Sequence, residues 1–138
     1  MSYTRQRDSY REAEVLSSSP ERLIPLLYEH LLVNLKRGGR CIRKGDIDGK
    51  FHHLSKAADI VAELIGALDF EAGGEIALRL GSLYAFWAKE ISIAARALEA
   101  DRLDAIVELV DSLRASWVEA VRVVEGAADA SPPDGVPA

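Results

Sequence analysis

The side chains that most often carry chemistry are few in this sequence, which has three histidines and a single cysteine. His52 and His53 are adjacent, and neighbouring side chains on a helix point about 100° apart, so this pair cannot hold one ion from one face. A di-iron bundle needs a glutamate with a histidine three residues later, and the sequence contains no such pair. The residues therefore predict no metal site and no cofactor.

Nucleophilic catalysis is not indicated either. Cys41 lies in a helical pattern without polar neighbours that would orient a base, and as the only cysteine it is interpreted as a structural thiol. Gly73-Gly74 follows a helix and not a strand, which argues against a phosphate loop. A helical histidine can carry a phosphoryl group, so a histidine phosphotransfer bundle with His52 or His53 as acceptor stays open as an alternative. We predict that the protein is not an enzyme.

The net charge and the lengths of the apolar runs limit the classes of partner that the sequence predicts. The formal net charge is -5, and binding to nucleic acid needs a basic face, so nucleic acid is not predicted as a partner. Residues 1–8 contain no apolar signal segment, and no apolar run reaches the roughly 18 residues of a membrane span. We expect a cytoplasmic protein without membrane insertion.

Four long stretches of helical periodicity must position any functional surface. Ser19 and Pro20 form a start signal for the first, Gly45-Asp46 separates it from the second, and Gly73-Gly74 marks the break before the third. Asp101 caps the fourth. The predicted helices run over residues 20–43, 47–68, 75–99 and 101–124. Their similar lengths and short connections predict an all-α fold, an antiparallel up-down-up-down four-helix bundle.

The ends of the chain are predicted to differ from the bundle. Residues 1–16 are polar with isolated apolar points and are interpreted as a flexible N-terminal arm. Residues 17–125 form the bundle domain. Residues 126–138 lack apolar periodicity and contain three prolines, which predicts a disordered tail. Pro25 lies near the start of the first helix, where it would delay the regular helix to about Ile24 or kink it.

The second helix carries more apolar residues than one seam requires. The seam, assigned to the core, consists of Ile47, Phe51, Leu54, Ala58, Val61, Ile65 and Leu68. A second stripe on a rotated face consists of Ala57, Ile60, Leu64 and Ala67. Such a stripe needs a cover. It is interpreted as a groove for partner helices, with a wide core and a self-associating structural bundle as the alternatives.

A series of short motifs runs in order from residue 10 to about residue 120. The motifs are Tyr10 and Val15, Ser19-Pro20, Leu27-Tyr28, Ala58-x-Ile60-x-x-Glu63-Leu64, Gly73-Gly74-Glu75-Ile76-Ala77, Leu83-Tyr84 and Leu113-Arg114-x-x-Trp117. In this combination the sequence resembles the family of flagellar secretion chaperones called FliS. His30 and Pro25 depart from the family pattern in the first helix.

The resemblance implies a non-enzymatic chaperone that binds the disordered C-terminal segment of flagellin, prevents its premature polymerisation and helps present it to a component of the flagellar export gate. A weak homodimer is left open. The predicted flagellin-binding residues are Ala57, Ile60, Leu64, Leu68, Tyr84 and Ile91. The predicted N-terminal cap, displaced by flagellin, consists of Tyr3, Tyr10 and Val15.

Overall fold

The computed structural model describes residues 20–130 of the chain, and this part is built from helices. In chain order they are α1 (Pro20–Lys44), α2 (Ile47–Gly66), α3 (Phe70–Ala97) and α4 (Ala100–Ala130). Short connections force neighbouring helices to run antiparallel, and α1 packs against both α2 and α4 while α2 packs against α3. The predicted all-α bundle is confirmed.

Contacts along each pair fix the antiparallel register. Asn34 of α1 lies level with His53 of α2, whose Nδ1 is 3.3 Å from the Asn34 Oδ1. Arg43 near the end of α1 reaches Asp104 near the start of α4 at 2.6 Å. Lys50 near the start of α2 donates to the carbonyl of Ala95 near the end of α3. The least extensive of these helix contacts joins α3 and α4.

The first connection follows the predicted chemistry. Gly45 has a φ of 75°, the left-handed conformation that a glycine adopts most easily at the end of a helix. The side chain of Asp46 then accepts a hydrogen bond from the Gly49 N–H at 2.9 Å and so caps the start of α2. The helix α1 begins at Pro20 and continues through Pro25. The expected delay of the helix start to about Ile24 is therefore wrong.

The break at Gly73-Gly74 lies inside α3. The α3 helix begins at Phe70, because the Asp69 side chain accepts from the N–H groups of Glu71 and Ala72 and caps its first turn. Gly74 then adopts φ 52° and ψ -126°, a conformation that interrupts the helix before it resumes. The connection from α2 is thus residues 67–69, and the predicted start of the third helix at Glu75 corresponds to the resumption after Gly74.

The last helix is longer than predicted. It continues to Ala130, so residues 126–130, which were assigned to a disordered tail, are helical. Alanine is the strongest helix former, and Ala127, Ala128 and Ala130 offset the cost of Gly126 in this turn. Residues 131–138 lie outside the described residues, as does the predicted arm at residues 1–16.

One apolar core runs through the bundle. Each helix contributes, and the fully buried side chains with the largest volume are Trp87, Tyr28, Tyr84, Leu31, Leu35, Leu64, Leu103, Ile106, Val61 and Val110. The α1 and α2 backbones approach closely at Gly38, where an added Cβ would collide with the side chain of Leu54. This glycine therefore sets which face of α2 points into the core.

Candidate functional site

The residues predicted to bind flagellin lie mostly in the core of the bundle. Five of them are between 0% and 3% exposed: Ala57, Ile60, Leu64, Tyr84 and Ile91. Leu68 is half-buried and packs against the same core. Contact between a partner and the five buried side chains would require the helices to separate. The structure brings all six together, but as the packed interior beneath a surface.

Both apolar stripes of α2 contribute side chains to the core, which is the wide-core alternative. The stripe expected to need a cover supplies the core through Ala57, Ile60 and Leu64. The seam expected to form the core is only partly buried, and the assignment of Ile47, Phe51, Ala58 and Ile65 to the core is wrong. Leu54 and Val61 of that stripe are buried as expected.

The exposed stripe of α2 lies on the side of that helix next to α3. Lys50 marks this side, because its ammonium group reaches the α3 backbone, whereas His53 marks the side next to α1. At about 100° per residue, Ile47, Ala58 and Ile65 fall within about 80° of Lys50, and Phe51 follows closely. Phe51 is 72% exposed and Ile65 is 38% exposed.

Helix α3 continues this apolar surface. Gly81 marks the side of α3 next to the connection from α2, since a Cβ added there would lie 3.4 Å from the side chain of Leu68. Leu78 and Ala85 are three and four residues from Gly81, hence on the same side, and both are exposed. We name the exposed set the α2–α3 face: Ile47, Phe51, Ala58, Ile65, Leu78 and Ala85.

An aromatic cluster joins α1, α3 and α4 at the other side of α3. The Tyr28 and Tyr84 hydroxyl oxygens lie 2.5 Å apart, and the indole N–H of Trp117 donates to the Tyr28 oxygen at 3.1 Å. The Trp87 ring lies 5.3 Å from that of Tyr84, centre to centre. Burial raises the pKa of both tyrosines above the ordinary value, so both are protonated at neutral pH.

Two buried nitrogen atoms near this junction have no hydrogen-bond partner in the described part of the chain. They are Nε1 of Trp87 and Nε of Arg114. The rest of the Arg114 guanidinium reaches Glu29 at 3.5 Å and Asp111 at 3.7 Å. A buried N–H without an acceptor is costly, and both groups are donors.

The remaining chemistry-bearing side chains sit in structural contacts. His53 is hydrogen-bonded to Asn34, and its pKa is lowered by burial and then by positive neighbours that begin with His52. Burial also raises the pKa of the half-buried Cys41 thiol, with a further contribution from Asp46. Within residues 20–130, no group of three or more His, Cys, Asp or Glu side chains is arranged to hold a metal ion. The described helices also include none with the length and hydropathy of a membrane span.

At the opposite end of the bundle, ion pairs connect α4 to α1 and to α3. Arg43 bridges Asp101 and Asp104 across the α1–α4 contact, and Arg102 reaches Glu90 across the α3–α4 contact at 2.6 Å. Because the Arg43 pairs are well exposed, each contributes little to stability on its own. They fix the register of α4 at its start.

The aromatic cluster was missed in the sequence, although Tyr28, Tyr84 and Trp117 all stand in the motifs quoted for the resemblance. Each falls on an apolar stripe, where an aromatic ring is indistinguishable from other core residues. The available signal was the polar tip of each side chain, since a buried hydroxyl or indole N–H needs a partner. Tyr3, Tyr10 and Val15 of the predicted cap lie outside the described residues.

Comparisons with known proteins give matches over most of the chain. The family model described as "Flagellar protein FliS" matches residues 2–124. The flagellar secretion chaperone FliS of Campylobacter jejuni is 31% identical over 112 residues, covering 81% of this chain and 88% of the relative. The Salmonella typhimurium protein of that name is 32% identical over 107 residues, or 77% of this chain and 79% of the relative.

The same name belongs to a protein of Vibrio cholerae that is 28% identical over 106 residues, covering 77% of this chain and 78% of the relative. Each alignment spans more than two thirds of both proteins, so the likeness extends over the helices described above and is not confined to one motif. The family match covers the aromatic cluster and the α2–α3 face together. The chain belongs to the FliS family of flagellar proteins.

Proposed function

We propose that this protein is a cytoplasmic export chaperone that binds the disordered C-terminal segment of flagellin. By holding that segment it prevents premature polymerisation of the subunit and helps present it to a component of the flagellar export gate. The family match and the names of the relatives, flagellar secretion chaperones, support the export role. The protein acts by binding and not by catalysis.

One observation supports the mode of binding: the α2–α3 face places exposed apolar side chains on two adjacent helices. Phe51 of α2 and Leu78 of α3 are 72% and 61% exposed. The small residues Ala58 and Ala85 are also exposed. An amphipathic segment can lay its apolar side along such a face, the helix-in-groove mode of recognition.

The energetics suit a ligand that is disordered when free. Fully burying a side chain such as Phe, Leu or Ile contributes roughly 1.5–3 kcal/mol, so the partly exposed Phe51, Ile65 and Leu78 together offer several kcal/mol. A segment that folds on binding loses conformational entropy at that moment, and burial of the apolar side chains of the α2–α3 face offsets part of that loss. Of the residues first assigned to binding, Leu68 borders the α2–α3 face, and the five buried ones belong to the core that supports it.

The proposal is tested by calorimetric titration of a flagellin C-terminal peptide into the wild type and into Phe51→Asp and Leu78→Asp. Both variants should keep the circular dichroism and thermal midpoint of the wild type, because the side chains are exposed, while binding weakens at least tenfold. The matched control is Val33→Asp, which alters an exposed apolar side chain on α1, away from α3. Normal binding by both face variants would place the peptide elsewhere.

Size-exclusion chromatography with light scattering separates this proposal from self-association. A chaperone of this kind should form a one-to-one complex with the peptide, and any weak homodimer formed through the α2–α3 face should dissociate as the peptide binds. A dimer that persists at full peptide occupancy would mean that the face is covered by a second copy of the chain.

A further inference from the structure

The first turn of α3 is a small unit closed by its own hydrogen bonds. The Asp69 side chain accepts from the N–H groups of Glu71 and Ala72, and the Asp69 carbonyl accepts from the Gly73 N–H at 2.7 Å. All three bonds lie within residues 69–73. The turn can therefore move as a unit without losing them.

The chain is anchored before this turn and interrupted after it. Leu68, which precedes the turn, is half-buried and packs against the core. Gly74, which follows it, has φ 52° and ψ -126°, so the helical path does not continue smoothly from the turn into the rest of α3. Glycine enters and leaves such a conformation at little steric cost. The turn is thus joined to α3 through a residue whose backbone can rotate.

One side chain of the turn folds back onto α3. The Phe70 ring lies against Gly81, where an added Cβ would be 3.7 Å from the ring and 3.4 Å from the side chain of Leu68. We call this place the Gly81 notch: the backbone of Gly81 is its floor and Leu68 is one wall. Although its ring lies in the notch, Phe70 is 51% exposed. A half-exposed ring gains only part of the available burial free energy, so another side chain can compete with it.

The Gly81 notch borders the α2–α3 face. Leu78 of this face lies three residues before Gly81 on the same side of α3. The contact of Lys50 with the Ala95 carbonyl sets the register of the antiparallel α2 and α3. Counting the same number of residues from this contact along both helices puts Ile65 about level with Gly81. A segment bound between the exposed Ile65 and Leu78 therefore passes the notch.

We propose that the Gly81 notch is a subsite for one aromatic or large aliphatic side chain of the bound segment, and that Phe70 occupies it until the segment arrives. The proposal rests on the proposed function, since the segment belongs to flagellin. Phe70 itself indicates the chemistry of the ligand, because a notch that holds a phenyl ring fits another apolar side chain of similar size. On binding, the turn of residues 69–73 rotates about Gly74 and the incoming side chain replaces the Phe70 ring.

This exchange makes the subsite selective. A segment without a large apolar side chain at this place leaves Phe70 in the notch and does not gain the contact, whereas a matching segment does. The Phe70 ring also covers apolar surface while the chaperone is free. A closed notch lowers the apparent affinity by the fraction of molecules in which it is closed, so removal of the ring should raise the affinity.

Calorimetric titration of the flagellin C-terminal peptide into Phe70→Ala tests the displacement. The variant lacks the internal competitor, so we expect it to bind roughly threefold to tenfold more tightly than the wild type. The matched control is Ile76→Ala, which removes an exposed side chain of α3 about 140° around the helix from Gly81 and should bind as the wild type does. Equal or weaker binding by Phe70→Ala would overturn the proposal.

Fluorine NMR follows the movement of the ring in the full chain. With 4-fluorophenylalanine in place of its three phenylalanines, Phe70→Leu assigns the signal of residue 70 by its disappearance. At saturation with the peptide, this signal should move toward its position in the urea-unfolded chain, because the ring leaves the notch. An unchanged signal would show that the ring stays on Gly81 and would likewise reject the displacement.

The subsite is tested by filling it. Phe70→Ala combined with Gly81→Leu places a side chain in the notch, and leucine favours the helix more than glycine does, so the circular dichroism should be unchanged. The double variant should bind the peptide at least tenfold more weakly than Phe70→Ala. Peptides with single alanine replacements identify the side chain that enters, since its removal weakens binding to Phe70→Ala but not to the double variant. Equal affinity of the two variants would mean that no peptide side chain enters the notch.

Failure of this proposal and failure of the proposed function give different results. If the wild type binds the peptide and the substitutions at Phe70 and Gly81 leave the affinity unchanged, the chaperone function stands and the subsite is rejected. If neither the wild type nor Phe70→Ala binds the peptide, the proposed function fails and the subsite fails with it.

Discussion

The hydroxyl oxygens of Tyr28 and Tyr84 lie 2.5 Å apart in the core, although 56 positions separate the residues in the sequence. This contact joins α1 to α3, a pair of helices that are diagonal in the bundle, since α1 otherwise packs against α2 and α4. Trp117 of α4 donates to the same Tyr28 oxygen. Tyr28 is thus the shared member of a network that connects three helices.

Removing the shared hydroxyl should cost more stability than removing the peripheral one. In Tyr28→Phe, the Trp117 indole N–H and the Tyr84 hydroxyl both lose a partner, so we expect a loss of about 2–3 kcal/mol in the free energy of unfolding. In Tyr84→Phe, the bond from Trp117 to Tyr28 remains, and the expected loss is about 1 kcal/mol. Urea unfolding monitored by circular dichroism measures both. Equal losses would show that the Trp117 bond contributes nothing.

Buried and exposed apolar positions of α2 should respond differently to substitution by aspartate. Ile60→Asp and Leu64→Asp place a charge in the core, where burial of an unpaired carboxylate strongly disfavours the fold. We expect a loss of about 4 kcal/mol or more for each, with reduced helical circular dichroism at 37 °C. Phe51→Asp changes an exposed position and should shift the unfolding free energy by roughly 0.5 kcal/mol or less. A stable, helical Leu64→Asp protein would contradict the burial of this side chain.

The sequence was sufficient to predict the helices but not which apolar side of α2 is buried. Periodicity identifies both stripes, and each carries large side chains, Ile60 and Leu64 on one and Phe51 and Ile65 on the other. Which members of each stripe are buried depends on close approach between helices, as at Gly38 beside Leu54 of the seam and at Gly49 beside Cys41. Such contacts join distant parts of the chain, so no local pattern reveals them.

The start of α3 shows a similar limit of prediction from the sequence. Gly73-Gly74 correctly marked a break in the helix, but the first turn of α3 precedes it, because the Asp69 cap provides the start signal. The capping pattern is visible in the sequence as Asp69 followed by Glu71, but the two adjacent glycines are the stronger signal for a helix end and move the predicted start to Glu75. The aromatic network, in contrast, required the tertiary contacts of Tyr28 with Tyr84 and Trp117.

Gly74 should tolerate substitution poorly. Its φ of 52° with ψ of -126° lies in a region that residues with a Cβ rarely adopt, so Gly74→Ala strains the backbone at the break inside α3. We expect a loss of about 1–3 kcal/mol in the free energy of unfolding, or separation of residues 70–73 from α3.

Gly126→Ala is the matched control, because Gly126 lies in α4 with no atom within 4 Å of an added Cβ, and it should be neutral or stabilising. Urea unfolding and hydrogen exchange of the first turn of α3 distinguish the two outcomes for Gly74→Ala. Unchanged stability together with unchanged exchange would show that the positive φ is not required.

Protonation of His53 should weaken the fold as the pH falls. The ring sits between α1 and α2, bonded to Asn34, and faces His52, Arg37 and Lys56, with Asp46 as the opposing charge. Its pKa in the folded state is lowered from the ordinary value of about 6.5, so the unfolded chain binds the proton more readily. Stability contributed by the neutral ring is therefore present above about pH 6.5 and decreases as the pH falls from there through the lower folded pKa.

The measurement is the urea unfolding free energy at a series of pH values between about 7.5 and 5, for the wild type and His53→Gln. Glutamine keeps a hydrogen-bonding group near Asn34 and does not titrate. The wild type should lose stability with a slope of at most about 1.4 kcal/mol per pH unit from this proton, and the variant should show a shallower dependence. The difference between the two curves reports the effect of replacing residue 53. Parallel curves would mean that His53 binds its proton equally well in the folded and unfolded chains.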